Sequence, residues 1–370
     1  MENFLRLRRG YLKTGESIKI EQSVKRKRKK SMEYYATLGP ACHGTELLEA
    51  MIRRGMTGVR LNLSHSDLGS CGTWIVCLRE AERRSGRPME FLIDLCGPEL
   101  RIGNLAGGKE LQKGDAFLLY SEAVWPKMEK KVHRQSAASV SPALLRELDK
   151  GDLLSVSDGA LLLRVIKTEP EQAFCRAEQG GTAEAGKSIA LLGREIPLPV
   201  LSERDLRNLG MARDSGVTAV MQSFTGCGED VRLLKREMQR LGLSDLKLLA
   251  KIETQRGLNC MEEIAAEADQ VVIARGDLGN TLGLTAVPLA QRRISMYCRE
   301  RGISFMVVTE LLHSMMTASV PTQAELSDIA RAVWDGASAL MLTGETAVGR
   351  YPIEAMGWLV QAAERAAEAG

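Results

Sequence analysis

Eight short apolar runs, each followed by an amphipathic stretch, recur from residue 34 to the end of the chain. They are YYATLG (34–39), GVRLNLS (58–64), EFLIDLC (90–96), VTAVMQSF (217–224), LKLLAKIE (246–253), QVVIARG (270–276), ISFMVVT (303–309) and ALMLTGE. Segments such as ELLEAMIRRG (46–55), EDVRLLKREMQRLG (229–242), PLAQRRISMYCRERG (288–302) and SDIARAVWDG (327–336) lie between them, and PIEAMGWLVQAAERAAEAG ends the chain. A strand apolar along its whole length is covered on both faces, and regular alternation with helices makes such strands parallel. Eight units predict an α/β fold, a TIM (β/α)8 barrel, with a doubly wound open sheet as the structural alternative.

The rhythm breaks between Ile102 and about Pro197. Short alternating runs split by Gly and Asp fill this stretch, among them GGKELQKGDAFLLY, KGDLLSVSDGALLLRV and AFCRAEQGGT. That pattern predicts antiparallel β structure, a small inserted β-barrel domain that leaves after the third strand and sits over the C-terminal rim as a lid. The predicted organisation is a basic tail over 1–33, barrel over 34–102, lid over 103–196 and barrel over 197–370.

Composition narrows the function classes. No run of 18 apolar residues suggests a membrane span, and MENFLRLRRG lacks the apolar stretch of a secretory signal. The eight cysteines are scattered with no C-x-x-C pair, which predicts free thiols in the cytoplasm. Residues 1–30 hold eleven Lys and Arg against three Glu, a net +8 that leaves −5 for the rest. The run Lys25 to Lys30 reads as a solvated tail or an anionic-surface contact. No aromatics interleave with it, which argues against nucleic-acid stacking. A mildly acidic body fits a small-molecule enzyme.

In a barrel, chemistry sits where strands end. The second run ends Arg60-Leu61-Asn62-Leu63-Ser64-His65, the third Asp94 through Arg101, the fifth Lys251-Ile252-Glu253, the sixth Arg275-Gly276-Asp277, the seventh Thr309-Glu310 and the eighth Thr343 to Thr346. Glu253 and Asp277 are hard carboxylates on adjacent strands, able to complete an Mg2+ or Mn2+ site with water and substrate oxygens. Lys251 is two residues before Glu253, so both face inward. An ammonium beside a divalent ion suits an enolate or a transferring phosphoryl group, and Arg60 and Arg101 add the fixed charge that phosphate needs. Taken singly, each of these residues also fits a structural ion pair.

KIETQRG, the ARGDLG whose Asp follows Glu253 by 24 residues, a Thr, PTQAELSD and MLTGETAVGRYP succeed one another in order. TLGPAC (37–42), RLNLSH (60–65) and DLCGPELRIG (94–103) precede them. Over roughly residues 34–370 the chain resembles the pyruvate kinases. The resemblance implies phosphoryl transfer from phosphoenolpyruvate to ADP, giving pyruvate and ATP in glycolysis. It implies that Glu253 and Asp277 bind the divalent ion, that Lys251 stabilises the enolate and transition state, and that the N–H groups of Gly276 and Asp277 receive the substrate carboxylate. Thr309 is placed near the substrate methyl. Asn62, Ser64, Asp94 and the Leu95 carbonyl match a K+ site, while Arg60, His65, Arg101 and Lys187 match nucleotide-phosphate contacts, with Asp158 also contributed by the lid.

Several positions depart from the family pattern. D-T-K-G-P-E reads Asp94-Leu95-Cys96-Gly97-Pro98-Glu99, and since Glu99 resembles K+-dependent members and Leu95 independent ones, the K+ requirement stays open. Cys96 reads as a neutral small residue or as a redox-sensing thiol. Thr-Gln becomes Thr309-Glu310, P-R-P-T-R-A-E becomes Ser319 to Glu325 with both arginines gone, and the basic S-F-x-R-x becomes Ser223 to Cys227. The family's usual C-terminal domain has no counterpart before Gly370, which predicts no sugar-phosphate control at that site and a homodimer or monomer. His43 and His133 read as surface residues. Alternatives to an active kinase are a weakened binding or regulatory protein and, further off, a metal-dependent lyase acting on a pyruvate enolate.

Overall fold

The computed structural model describes residues 32–98, 100–107, 110–132, 135–157, 159–193, 196 and 198–370. The basic run Lys25 to Lys30, Glu99, His133 and Asp158 lie outside the described residues. Eight parallel strands close into a barrel. They are β1 (Glu33–Thr37), β2 (Gly58–Asn62), β3 (Glu90–Asp94), β4 (Ala219–Gln222), β5 (Lys247–Ile252), β6 (Gln270–Ala274), β7 (Phe305–Val308) and β8 (Ala339–Met341). Each pairs with the next, and β8 pairs back onto β1 through Glu33–Ala339 and Tyr35–Met341. Each strand falls on one of the eight apolar runs, β1 starting one residue earlier at Glu33, and each stops short of its run's polar end. The sixth run is corrected most. Its strand stops at Ala274, and Arg275 and Gly276 open a helix, α5 (Arg275–Leu282).

The outer ring includes α1 (Thr45–Arg53), α2 (Gly72–Ser85), α3 (Glu203–Met211), α4 (Gly228–Arg240), α6 (Val287–Arg301), α7 (Gln323–Trp334) and α8 (Pro352–Ala369). Local signals start them. Thr322 accepts from Glu325 N while Glu325 bonds back to Thr322 N, so a reciprocal cap opens α7. Two-residue alternation decides what fills the barrel. Leu92, Met221, Leu249, Val272, Met306 and Met341 pack the interior, and the same faces of β3 and β5 carry Asp94 and Lys251 one step further up.

Between β3 and β4 the chain builds a seven-stranded sheet whose strands run from Leu105–Ala106 to Ile189–Leu191. Its pairings are antiparallel except that of Ala116–Ser121 with Ala137–Val140. Its apolar side forms a separate core around Phe117, Leu119, Leu154, Leu163 and Val165. The outgoing and returning segments are pinned together, with Ile102 N donating to Lys187 O at 2.8 Å and Gly186 N to Ile102 O at 2.7 Å.

Polar groups crowd the C-terminal rim as expected, but the opposite mouth is charged too. Lys247 Nζ lies 3.2 Å from Glu33 Oε2 and 3.3 Å from Glu90 Oε1. Charge at strand ends therefore does not by itself mark a site, and what separates the two mouths is burial and convergence. Among the described residues no helix is long and apolar enough to cross a membrane. All eight cysteines are free of disulfides.

Candidate active site

The rim charges meet at one point. Lys251 Nζ sits 3.1 Å from Asp94 Oδ1 and 3.0 Å from Glu253 Oε1. Arg60 Nε donates to Asp94 Oδ2 at 2.9 Å, and its Nη1 to Thr37 Oγ1 at 3.3 Å. Glu253 is fully buried, Asp94 is 1% exposed and Lys251 8%. Two cations and two carboxylates balance here, and Asp277, half-buried at the start of α5, adds a further negative charge. Burying such a cluster is expensive, so it is weak evidence for stability and stronger evidence for a task.

The proton affinities follow. Burial pulls the Lys251 ammonium down, but Asp94 and Glu253 outweigh it and hold it above its ordinary value. Burial pushes Asp94 up, and Lys251 and Arg60 bring it below the usual carboxylate range. Burial drives Glu253 up to about 8, opposed by Lys251 and reinforced by Asp277. One Glu253 oxygen accepts from Phe224 N at 2.5 Å. The other, Oε1, is 3.0 Å from the ammonium yet has no aligned hydrogen bond. The contact is an electrostatic approach without donor geometry, leaving a buried acceptor open. An open, buried carboxylate oxygen is a donor that suits a divalent cation. Among the described residues no three His, Cys, Asp or Glu side chains form a metal-binding group.

Beside this cluster Thr309 adopts φ 69° and Glu310 φ 54°. A left-handed β-branched residue is strained by about 1–3 kcal/mol and clusters at functional sites. Thr309 Oγ1 accepts from Gly276 N at 2.9 Å and donates to Val308 O at 2.6 Å. The Gly276 amide assigned to the substrate carboxylate is thus engaged by Thr309. A Cβ on Gly276 would meet Thr309 only at an ordinary 3.7 Å. The protein's own packing does not demand a glycine there, which fits a position kept clear for a ligand.

The residues matched to a K+ site lie on neighbouring strand ends, with Asn62 opposite Asp94 in register. Asn62 Oδ1 accepts from Ser64 N at 3.2 Å. Ser223 Oγ, which the sequence did not single out, reaches Leu95 O at 2.6 Å and Asp94 Oδ1 at 3.1 Å. The four residues matched to phosphate contacts share one field. Partial burial and then Arg101, Arg60, Lys187 and Arg204 hold the His65 imidazole below its usual range. Arg204 is an addition to the set, donating to Ser66 O at 2.8 Å.

Other rim residues are structural. Glu345 accepts from Leu312 N at 3.2 Å and Thr343 N at 2.8 Å, stapling two loops. Thr346 Oγ1 donates to Thr37 O at 3.0 Å, closing β8 on β1. Cys96 Sγ donates to Leu63 O at 3.0 Å, and burial followed by Asp205 pushes its thiol up to about 11, which favours the neutral small-residue reading. His43 is partly exposed and stacks on the partly exposed Trp74 with centroids 5.1 Å apart.

Asp205, fully buried at the start of α3, was missed. Its carboxylate accepts from Cys96 N at 2.7 Å, Gly97 N at 3.2 Å, Ser202 N at 2.9 Å and Ser202 Oγ at 2.7 Å. It fixes the loop that carries Leu95 to the helix that follows the insertion. Its S-x-x-D capping pattern is visible in the sequence, but its contact with a loop 109 residues away is not.

Between the inserted sheet and the barrel lies a cleft of about 1410 Å³. Asp277, Asn280, Thr281 and Arg256 line one wall, and Leu100, Ile189 and Leu191 another. A smaller hollow of about 520 Å³ lies within the insertion, around Pro142 and Leu145, away from the charge cluster.

A family model described as pyruvate kinase, barrel domain, matches residues 28–356. The pyruvate kinase of Aeropyrum pernix is 35% identical over 332 residues, 90% of this chain and 70% of that protein. That of Mycobacterium intracellulare is 36% identical over 320 residues, covering 86% of this chain and 66% of the relative. That of Chlamydia trachomatis serovar D is 32% identical over 322 residues, 86% and 65% respectively. The chain therefore spans between 65% and 70% of the length of these relatives.

Proposed function

Since the chain belongs to the pyruvate kinase family, we propose that it transfers the phosphoryl group of phosphoenolpyruvate to ADP, giving pyruvate and ATP. The observation that carries this reading is the buried Lys251 between Asp94 and Glu253, with an open Glu253 oxygen facing it. Lys251 is held charged, and its ammonium sits where an enolate oxygen and a departing phosphoryl group would both develop negative charge. Glu253 and Asp277 would hold Mg2+ or Mn2+, which when bound supplies Lewis-acid charge neutralisation. Gly276 and Asp277 would receive the carboxylate at the start of α5, displacing the Thr309 hydroxyl from Gly276 N. Freed from that contact, Thr309 would face the substrate methylene that takes up a proton. Arg60, His65, Arg101 and Lys187 would hold the nucleotide phosphates, and Asn62, Ser64, Asp94 and Leu95 a K+ ion.

The division into barrel over 34–102 and 197–370 and lid over 103–196 belongs to the same reading, with lid closure excluding water from the cleft. So does a glycolytic role in the cytoplasm. A coupled assay with phosphoenolpyruvate, ADP and Mg2+, with and without K+, tests it. The expected result is pyruvate formation abolished by chelator. Silence in both buffers, with phosphoenolpyruvate still binding by calorimetry, would favour a regulatory binding protein. The tail is expected to stand apart from the chemistry. Deleting residues 1–30 should leave kcat and KM within about twofold, since none of the residues given a role in the chemistry lies there, and a large drop in the same assay would make it part of the working enzyme.

A further inference from the structure

Arg275 is the one charged residue of the ARGDLG motif to which the proposed chemistry gives no role. It is 9% exposed, at the start of α5 where β6 ends. Its guanidinium reaches the residue that follows β7. Nε and Nη2 both donate to the Thr309 carbonyl, at 3.1 Å and 2.6 Å. Nη1 lies 2.5 Å from Asp328 Oδ2 on α7 and 3.5 Å from Gln291 Oε1 on α6. A planar fork with two donors on one oxygen fixes the orientation of that peptide, and the third contact fixes the fork. The peptide it holds belongs to the strained residue of the site, Thr309 at φ 69°.

The hydroxyl of Thr309 is held from the same stretch of chain, by the amide of Gly276. Arg275 and Gly276 therefore grip one residue from two sides, the first by its carbonyl and the second by its hydroxyl. The grips differ in consequence. A carboxylate arriving at Gly276 N–H would release the hydroxyl, whereas the carbonyl stays held by the buried Arg275. Thr309 could then free its hydroxyl without relaxing out of the left-handed region.

We propose that Arg275, oriented by Asp328, is a positioning residue that keeps Thr309 in its strained conformation and so aims the Thr309 hydroxyl at the substrate. This rests on the proposed pyruvate kinase reading. Arg275→Lys tests it, because lysine keeps a cation for Asp328 but cannot put two N–H groups on one carbonyl. With saturating Mg2+, kcat should fall about a hundredfold, as when a reacting group is misplaced by about 1 Å, while KM for ADP and the unfolding midpoint stay near wild type. Arg275→Lys in a Thr309→Ala background should then be no slower than Thr309→Ala alone, because the arginine acts through that residue. Unchanged kcat in Arg275→Lys, or fully additive losses in the double variant, overturns the proposal. Should Arg275→Lys fail to fold, Asp328→Asn takes its place. A fall in kcat of about tenfold at unchanged KM supports positioning, and unchanged kcat overturns it. If the wild-type protein shows no turnover, the function reading has failed and a crystal structure of Arg275→Lys decides this one separately. Thr309 leaving the positive-φ region supports the proposal, and Thr309 remaining near 69° overturns it.

Discussion

In Lys251→Met, the proposed turnover of phosphoenolpyruvate and ADP is expected to fall by about 10³ or more, beyond the loss typical of one electrostatic donor, with the barrel still folded. Methionine fills nearly the same volume as the lysine stem but removes the one cation within 3.1 Å of both Asp94 and Glu253. Removing one partner of a buried ion pair ordinarily costs about 3–5 kcal/mol because a bare charge is left behind. Two features limit that cost here. Arg60 still pairs with Asp94, and burial already favours the neutral form of Glu253, a preference that loss of the opposing ammonium strengthens, so no bare charge need be left there. The sign is that of a buried carboxylate losing its counter-ion, with the neutral form favoured. Circular dichroism and thermal unfolding check the fold while the coupled assay checks the chemistry. Activity within a few-fold of wild type would remove Lys251 from the mechanism.

Asp205→Ala is expected to damage stability more than any rim substitution, by about 3–5 kcal/mol, the range for breaking a buried charged network. Four donors lose their acceptor at once, three of them main-chain N–H groups, those of Cys96, Gly97 and Ser202. Gly97 sits at φ 67°, and a Cβ there would come within 3.0 Å of Ser223, so this loop has little freedom to find other partners. Asp205→Asn keeps an acceptor and should recover about half the loss, since one amide oxygen replaces two carboxylate oxygens. Denaturant unfolding of the two variants measures the difference. A loss below about 1 kcal/mol for Asp205→Ala, the scale of a single hydrogen bond, would show that water replaces the carboxylate.

The barrel was legible because its signals are local. Apolar runs, helical stripes and caps each lie within a few residues, and β5 shows Lys251 and Glu253 on one face by spacing alone. The charge cluster was legible for the same reason once the strands were aligned. The rim itself was a weaker guide, since Lys247, Glu33 and Glu90 charge the other mouth without forming a cleft. Three things could not be read. The left-handed Thr309 is a tertiary feature, its carbonyl held by Arg275 from the start of α5, 34 residues away in the chain. The Asp205 and Ser223 contacts join segments more than a hundred residues apart. The helical start at Arg275 overrode an apolar run that continued the strand pattern through Ala274.

The pinned neck of the insertion bears on the order of folding. β3 and β4 must pair as neighbours, with Ile93 opposite Val220, although an entire second core intervenes in the chain. Closing an unstructured loop of about a hundred residues costs about 2 kcal/mol more than closing one of about ten, by the logarithmic dependence on length. Once the inserted sheet has formed and Ile102 N has met Lys187 O at 2.8 Å, the ends of that long excursion are already neighbours. The separation that β3 and β4 must overcome shrinks to the 8 residues from Asp94 to Ile102 (102 − 94) and the 32 from Lys187 to Ala219 (219 − 187), α3 among them, so the interrupted unit assembles with an effective separation of the order of an ordinary strand–helix–strand unit.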